Sequence, residues 1–141
     1  MNHDIGISRR CELFYIRKEL ERYGLFPTEG RILYLLRNQC NSQEVLAEKL
    51  QQDKGRIAKA MQHLEEKGFI IRKVNEKNRR QKLAYLTEEG RDMVEEITTI
   101  FKQWDEICYE GFSEEEKQLH QGFLRRIAQN AVKYREENGG R

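Results

Sequence analysis

The chain has 141 residues, 38% of them hydrophobic and 35% charged, and its 26 Lys and Arg against 24 Asp and Glu give a net charge of +2. This length suffices for one domain with a hydrophobic core, and a mean hydropathy of −0.90 without an apolar run of about 18 residues excludes a membrane-spanning helix. Three widely spaced cysteines argue against a disulfide framework, and no apolar signal segment opens the chain, so we expect a soluble, mostly helical, cytoplasmic protein.

Two helices are predicted in the first third of the chain. Residues 7–23 carry apolar side chains at intervals of three to four, which is the helical period, and Gly24 is a suitable C-cap. Pro27 and Thr28 begin the second helix, with Thr28 as the candidate N-cap.

Two shorter helices follow, separated by a polar break. The third helix follows Ser42, and Asp53 is the candidate N-cap of a fourth helix from Lys54 to about Lys67, which Gly68 ends. The apolar side chains of the fourth helix recur on one face, at Ile57, Met61 and Leu64. Its opposite face is therefore predicted to be exposed.

The period then changes to that of β-strands. Residues 69–74 and 81–86 are strand-compatible runs, and the polar, basic residues 75–80 between them are typical of a turn. This segment predicts a β-hairpin with a charged tip.

Two long helices complete the chain. Thr87 caps a helix whose apolar seam extends to Cys108, and a capping box that begins at Ser113 starts the last helix after Gly111. A helix of about 20 residues spans about 30 Å, more than one small domain can cover, so the seam predicts an intertwined dimer. The alternative is an intramolecular hairpin of the last two helices. The predicted dimerisation residues are Leu13, Ile97, Phe101, Trp104, Phe123 and Ile127.

This order of elements predicts a mainly α fold with a small β-hairpin wing, a winged helix-turn-helix with flanking dimerisation helices. We expect an N-terminal dimerisation helix in residues 1–27, a DNA-binding lobe in 28–87 and C-terminal dimerisation helices in 88–141. Their net charges are +1, +6 and −5, so the basic middle segment favours an anionic partner, with double-stranded DNA the leading candidate.

The exposed face of the fourth helix has side chains suited to reading DNA. Arg56 and Gln62 can form bidentate contacts with guanine and adenine, and the cations beside them suit phosphates. A merely solvated helix face is the alternative. The predicted contact set on this helix is Lys54, Gly55, Arg56, Ala58, Lys59, Gln62 and His63.

The hairpin tip is unusually basic, with four cations in six residues. A narrow cationic loop can reach the minor groove, which attracts arginine. The predicted wing contacts are Lys77, Asn78, Arg79, Arg80 and Lys82. Ser42 and Gln43, at the start of the third helix, are predicted to contact the DNA backbone.

The stretch from Leu25 to Gly90 resembles the MarR family of transcription regulators through the segments GLFPTEGRILYLL, SQEVLAEKLQQDKGRIAKAMQHLEEKGFIIR and NRRQKLAYLTEEG. The family pattern Leu-Glu-x-x-Gly, two hydrophobic residues, x and Arg is matched from Leu64 to Arg72. The wing pattern of the family is Asp-x-Arg, and Arg80 matches its arginine. Asn78 replaces the aspartate, which leaves a neutral hydrogen bond to orient the wing arginine.

The resemblance implies a homodimer whose first, fifth and sixth helices interlock and whose recognition helices enter successive major grooves about 34 Å apart on a pseudo-palindromic operator. Members are usually repressors, and many are released by small aromatic or amphipathic compounds or by thiol oxidation. The resemblance also implies a ligand pocket between the dimer helices and the DNA-binding lobe. Tyr15, Tyr34 and Trp104 are candidates for its lining, with core packing as the alternative.

Two other functions stay open on the sequence alone. One is a winged helix that binds protein, and the other is a thiol-based sensor in which Cys11, after two arginines, reacts. Cys40 and Cys108 are interpreted as packing residues. The histidines are isolated and no catalytic constellation is present, so we predict no enzyme activity, cofactor or metal.

Overall fold

The computed structural model describes residues 2–140, in two compact units of which one ends at Trp104 and the other begins at Asp105. In chain order the elements are α1 (His3–Glu21), α2 (Pro27–Leu35), β1 (Asn41–Ser42), α3 (Gln43–Leu50), α4 (Lys54–Glu66), β2 (Ile70–Asn75), β3 (Asn78–Leu86), α5 (Glu88–Cys108) and α6 (Glu114–Glu137). The predicted winged helix-turn-helix fold is confirmed. None of the helices described is long and apolar enough to cross a membrane.

The start of α1 and the cap residue of α2 differ from the prediction. α1 starts four residues earlier because Asn2 caps it, its Oδ1 accepting the backbone N–H of Asp4 at 2.9 Å. The prediction of Thr28 as the cap of α2 is wrong. The N-cap position is Phe26, and its N–H donates to Oε1 of Glu29 at 2.9 Å. The glutamate at the third helical position therefore stabilises this helix start.

The sheet has one strand more than the predicted hairpin. β1 pairs antiparallel with β3, so the strand order is β1-β3-β2. Asn41 lies opposite Ala84, and Ser42 lies opposite Leu83. Two residues are too few to show an alternating pattern, and for that reason sequence periodicity could not predict this strand.

Three of the predicted caps are confirmed. Oδ1 of Asp53 accepts the N–H of Arg56 at 2.8 Å, and Oγ1 of Thr87 accepts the N–H of Gly90 at 3.0 Å. Ser113 begins α6 with a reciprocal capping box. Each cap uses atoms within three residues of one another, which is why the local sequence predicts them.

The core of the first unit gathers one face from each of its helices and the inner side of the sheet. Ile57, Met61 and Leu64 are buried, which confirms the predicted inner face of α4. Fully buried side chains from the other elements surround them: Leu20, Ile32, Leu33, Leu46, Ile70 and Ile97. This packing fixes which side of α4 faces solvent.

The prediction that Ile97 lies on a dimerisation seam is corrected by the structure. Ile97 is 0% exposed and packs into the core of its own chain. Phe101 packs beside that core against Tyr34, with ring centroids 5.1 Å apart. Because α1 and α2 fold against this part of α5, a second copy is not needed to cover it.

The apolar face of α6 is exposed in the single chain. No residue of α6 is buried, and Phe123 and Ile127 are 52% and 53% exposed. Leu13 of α1, which was also predicted at the dimer interface, is half-buried.

Candidate nucleic-acid interface

α4 presents the predicted DNA-reading residues on its solvent side. With its apolar face held in the core, the side chains between the buried positions point outward. Ala58 and His63 are half-buried, and the exposed members of the set are Lys54, Gly55, Arg56, Lys59 and Gln62. The fold therefore brings this group together on one surface.

The turn between α3 and α4 is held by specific backbone and side-chain contacts. Gln51 adopts a left-handed conformation, with φ of 52°, and ends α3. Thr28 of α2 donates its hydroxyl hydrogen to Oε1 of Gln52 at 3.1 Å, which ties the turn to the start of α2. These contacts set the angle at which α4 leaves the turn.

Ser42 and Gln43, which were predicted to contact the DNA backbone, form hydrogen bonds within their own chain. Ser42 is 3% exposed, and its Oγ accepts the N–H of Val45 at 3.2 Å as the N-cap of α3. Buried in this way, Ser42 does not reach the surface that the prediction requires. The Gln43 amide donates to the carbonyl of Lys54 at 3.3 Å, so it links the start of α3 to the start of α4.

The tip of the wing is shorter than predicted. Residues 78–80, expected in the turn, belong to β3, and Oδ1 of Asn75 accepts the N–H of Lys77 to close the turn at 3.0 Å. Oδ1 of Asn78 accepts the backbone N–H of Arg80 at 3.3 Å, so it orients the main chain of the wing arginine. The predicted cations of the wing are all exposed: Lys77, Arg79, Arg80 and Lys82.

A cleft of about 870 Å³ lies beside the reading surface, between α1, the start of α2 and α4. Apolar side chains such as Leu13 and Phe26 contribute to its wall. Its arginine and lysine residues come from all three helices and are Arg9, Arg17, Arg31, Arg56 and Lys59. His63 also lines the cleft. Positive charge therefore extends from the exposed face of α4 into the cleft.

One carboxylate holds two of the arginines in this cleft. Oε1 of Glu12 accepts hydrogen bonds from Arg9 and from Arg31, each at 2.6 Å. Burial lowers the pKa of Arg31, and the charge of Arg9 lowers it further, while Glu12 opposes both effects. A single carboxylate shared by two guanidinium groups leaves a net positive charge at this site.

Sequence reasoning missed the contact between Glu29 and His63. Glu29, in the first turn of α2, is 3% exposed, and its Oε2 is hydrogen-bonded to Nδ1 of His63 in α4. The two residues are 34 positions apart, and neither lies in a motif that predicts the other. His63 was predicted to contact phosphate, and the structure places one of its ring nitrogens toward a buried carboxylate.

The three aromatic residues considered for a ligand pocket pack in ring pairs. Tyr15 and Trp104 have centroids 5.0 Å apart, and the Tyr15 hydroxyl donates to the carbonyl of Ile100 at 3.3 Å. Tyr34 lies between Phe101 and the guanidinium of Arg37. These contacts favour the packing interpretation.

Two of the three cysteines are exposed and one is half-buried. Cys11 is exposed and Cys40 is half-buried. Cys108, interpreted from the sequence as a packing residue, is exposed in the single chain.

Comparisons with known proteins identify winged helix proteins that resemble this chain in sequence and in fold. The winged helix DNA-binding domain family matches residues 31–104. The chain is 33% identical to the uncharacterised HTH-type transcriptional regulator YybA of Bacillus subtilis, over 79% of this chain and 76% of that protein. It is 30% identical to the crystal structure of MarR, which it matches with a TM-score of 0.80 over 94% of this chain and 91% of that one.

A second solved structure was determined with nucleic acid. It is a protein from Listeria monocytogenes assigned to the MarR family and complexed with 26mer DNA. The TM-score is 0.90 at 25% identity, over 99% of this chain and 95% of that one. The similarity to these proteins extends over nearly the whole chain, beyond the winged helix itself.

Proposed function

The chain belongs to the MarR family of winged helix-turn-helix transcriptional regulators, and from this we propose that it is a homodimeric repressor that a small aromatic or amphipathic molecule releases from a pseudo-palindromic operator. The single observation that carries the proposal is the exposed face of α4, where cations and a glutamine surround two small residues. Binding chromosomal DNA would make the cytoplasm its place of action.

In this proposal α4 enters the major groove. Arg56 and Gln62 contact base edges, and Lys59 contacts a phosphate. Gly55 and Ala58 allow the helix backbone to approach the groove closely. The side chains of Arg56, Lys59 and Gln62 are exposed, which supports the assignment.

The wing contributes a second set of contacts. Arg79 and Arg80 are exposed at the start of β3, close to the two-residue tip of the hairpin. A narrow minor groove has a strong negative potential that attracts arginine, and the wing is thin enough to follow the DNA backbone.

Dimerisation is supported by the uncovered apolar faces at both ends of the chain. Phe14 of α1 is 72% exposed, and the face of α6 that contains Phe123 is also uncovered. A contiguous exposed apolar face is typical of an interaction site, and a symmetric dimer uses the same face of both copies. We therefore propose that the exposed faces of segments 1–27 and 88–141 form the dimer contacts and that segment 28–87 binds DNA.

Release by a small molecule is supported by the cleft beside α4. Its volume of about 870 Å³ lies within the range of ligand sites, about 300–1,000 Å³, and its wall combines cations with apolar side chains. Arg56 and Lys59 belong to both the cleft and the proposed reading surface, so a ligand bound there competes with DNA.

A footprint on the DNA upstream of the gene, with and without candidate phenolic ligands, tests the proposal. We expect two protected half-sites about one helical turn apart, steep weakening of binding with salt, and release by a ligand. Sedimentation should show a dimer at micromolar concentration. A monomer that binds no DNA duplex would overturn the proposal. Binding of a protein that is insensitive to salt would favour the alternative of a winged helix that binds protein.

A further inference from the structure

Glu29 uses its two carboxylate oxygens for two different partners. Oε1 accepts the backbone N–H of Phe26 at 2.9 Å, and Oε2 contacts Nδ1 of His63. An ionised carboxylate can only accept hydrogen bonds, so both partners must be donors. With Glu29 ionised, Nδ1 of His63 carries the proton of this contact.

This proton determines what the remaining ring nitrogen can do. A neutral imidazole has one N–H, and when Nδ1 holds it, Nε2 has only a lone pair. The His63 side chain is 36% exposed and lines the cleft beside Lys59. A lone pair and a phosphate oxygen repel each other, whereas a protonated ring donates from Nε2 and adds a positive charge.

We propose that His63 is a proton-dependent DNA contact: Glu29 holds the ring through Nδ1, and Nε2 binds a backbone phosphate only when the ring is protonated. The inference rests on the proposed approach of α4 to the duplex. It predicts that affinity for the operator rises as the pH falls through the range in which histidine titrates.

Charged groups from all three helices that form the cleft face His63. Glu29 contacts the ring itself. Arg31 is in addition paired with Glu12. The charged residues that line the cleft with His63 are Arg9 and Arg17 from α1, Glu29 and Arg31 from α2, and Arg56, Lys59 and Glu66 from α4.

The test is a salt titration of operator binding at about pH 5.5 and about pH 8, followed by fluorescence anisotropy, for the full chain and two variants. In His63→Asn the side-chain amide keeps a donor near the Nδ1 position and cannot titrate. His120→Asn, in α6, is the matched control. For the unchanged protein and His120→Asn, we expect the slope of log K against log salt to steepen at the lower pH by about 0.9 per protomer.

In His63→Asn the slope should be the same at both pH values. A pH-dependent slope that survives in His63→Asn would overturn the inference, because another group must then titrate. DNA binding that is strong and equal at both pH values in all three proteins would overturn it too, yet leave the proposed function intact. Absence of binding to any duplex would overturn both.

The tautomer can be checked without DNA. In a long-range ¹H–¹⁵N spectrum of the free protein at about pH 8, the histidine signals missing from His63→Asn should show a protonated Nδ1 and an unprotonated Nε2. The opposite tautomer would contradict the inference, even if DNA binding depends on pH.

Discussion

Glu65, near the end of α4, and Arg72, in β2, are joined by two hydrogen bonds. Nη2 of Arg72 donates to one carboxylate oxygen at 2.9 Å, and Nε donates to the other at 3.3 Å. The guanidinium lowers the pKa of Glu65, and the carboxylate raises the pKa of Arg72. This pair connects the proposed recognition helix to the wing, and both residues belong to the family pattern seen in the sequence.

Replacement of Arg72 with glutamine should destabilise the fold slightly, because it removes the guanidinium that pairs with Glu65. The pair is partly exposed, so we expect a loss of about 0.2–1 kcal/mol in the free energy of unfolding. The pKa of Glu65 is lower in the folded state, so this contribution is present above pH 4.5 and is lost as the pH falls through the folded value. Urea unfolding of both proteins at about pH 7 and about pH 3 measures it, and a difference that persists at the lower pH would contradict this origin.

Arg56→Ala should cost about 1–3 kcal/mol in binding to the operator and reduce discrimination between bases at one position in each half-site. The reason is loss of the proposed bidentate contact of the side chain. The backbone N–H of Arg56, which donates to Oδ1 of the cap residue Asp53, is unchanged. Competition binding with single-base operator variants measures the change. Arg22→Ala, which removes a cation just after α1, is the control. Equal losses of operator affinity in the two variants would count against base reading by Arg56.

Arg80→Ala should weaken binding to all DNA sequences by similar factors. A lost phosphate or minor-groove contact lowers the slope of log K against log salt by about 1 per protomer. Lys102→Ala removes an exposed cation of α5 and should leave the slope unchanged. Salt titrations with operator and random DNA measure this slope. An unaltered slope in Arg80→Ala would remove the wing from the proposed interface.

Gly90→Ala should destabilise the first unit. A Cβ at this buried position would lie 2.0 Å from the carbonyl oxygen of Phe69, so the start of α5 or the strand end must move. We expect a loss of about 1–3 kcal/mol, the usual cost of overpacking. Urea denaturation measures it.

Gly122→Ala is the matched comparison, because this glycine also lies within a helix. A Cβ there would meet no atom within 4 Å among the residues that the structure describes. Alanine should therefore stabilise the helix, by about 0.5–1 kcal/mol. Equal destabilisation by both substitutions would show that the contact with Phe69 is not the cause.

Phe123→Glu should convert the proposed dimer to a monomer at micromolar concentration, because it places a charge on the uncovered apolar face of α6. Gln129→Glu adds the same charge at an exposed position on the other side of that helix. Sedimentation velocity distinguishes the two variants. If Phe123→Glu sediments like the unchanged protein, the face of α6 does not form the dimer.

The elements that sequence reasoning predicted well depend on residues close together in the chain. The amphipathic period of α4, the Asp53 cap and the capping box at Ser113 each involve contacts within one or two helical turns. Local geometry repeats at fixed spacing, so these features can be recognised from residue order alone. The basic wing and its exposure were predictable for the same reason.

Only the tertiary structure decided which of the predicted contact residues are exposed and which are buried. The burial of Ile97 depends on α1 and α2 folding against α5, and the burial of Ser42 depends on the pairing of β1 with β3. The contact of Glu29 with His63 joins two helices that no spacing rule relates. Residues that are distant in sequence meet only when the whole core packs, and their contacts have no periodic signal in the chain.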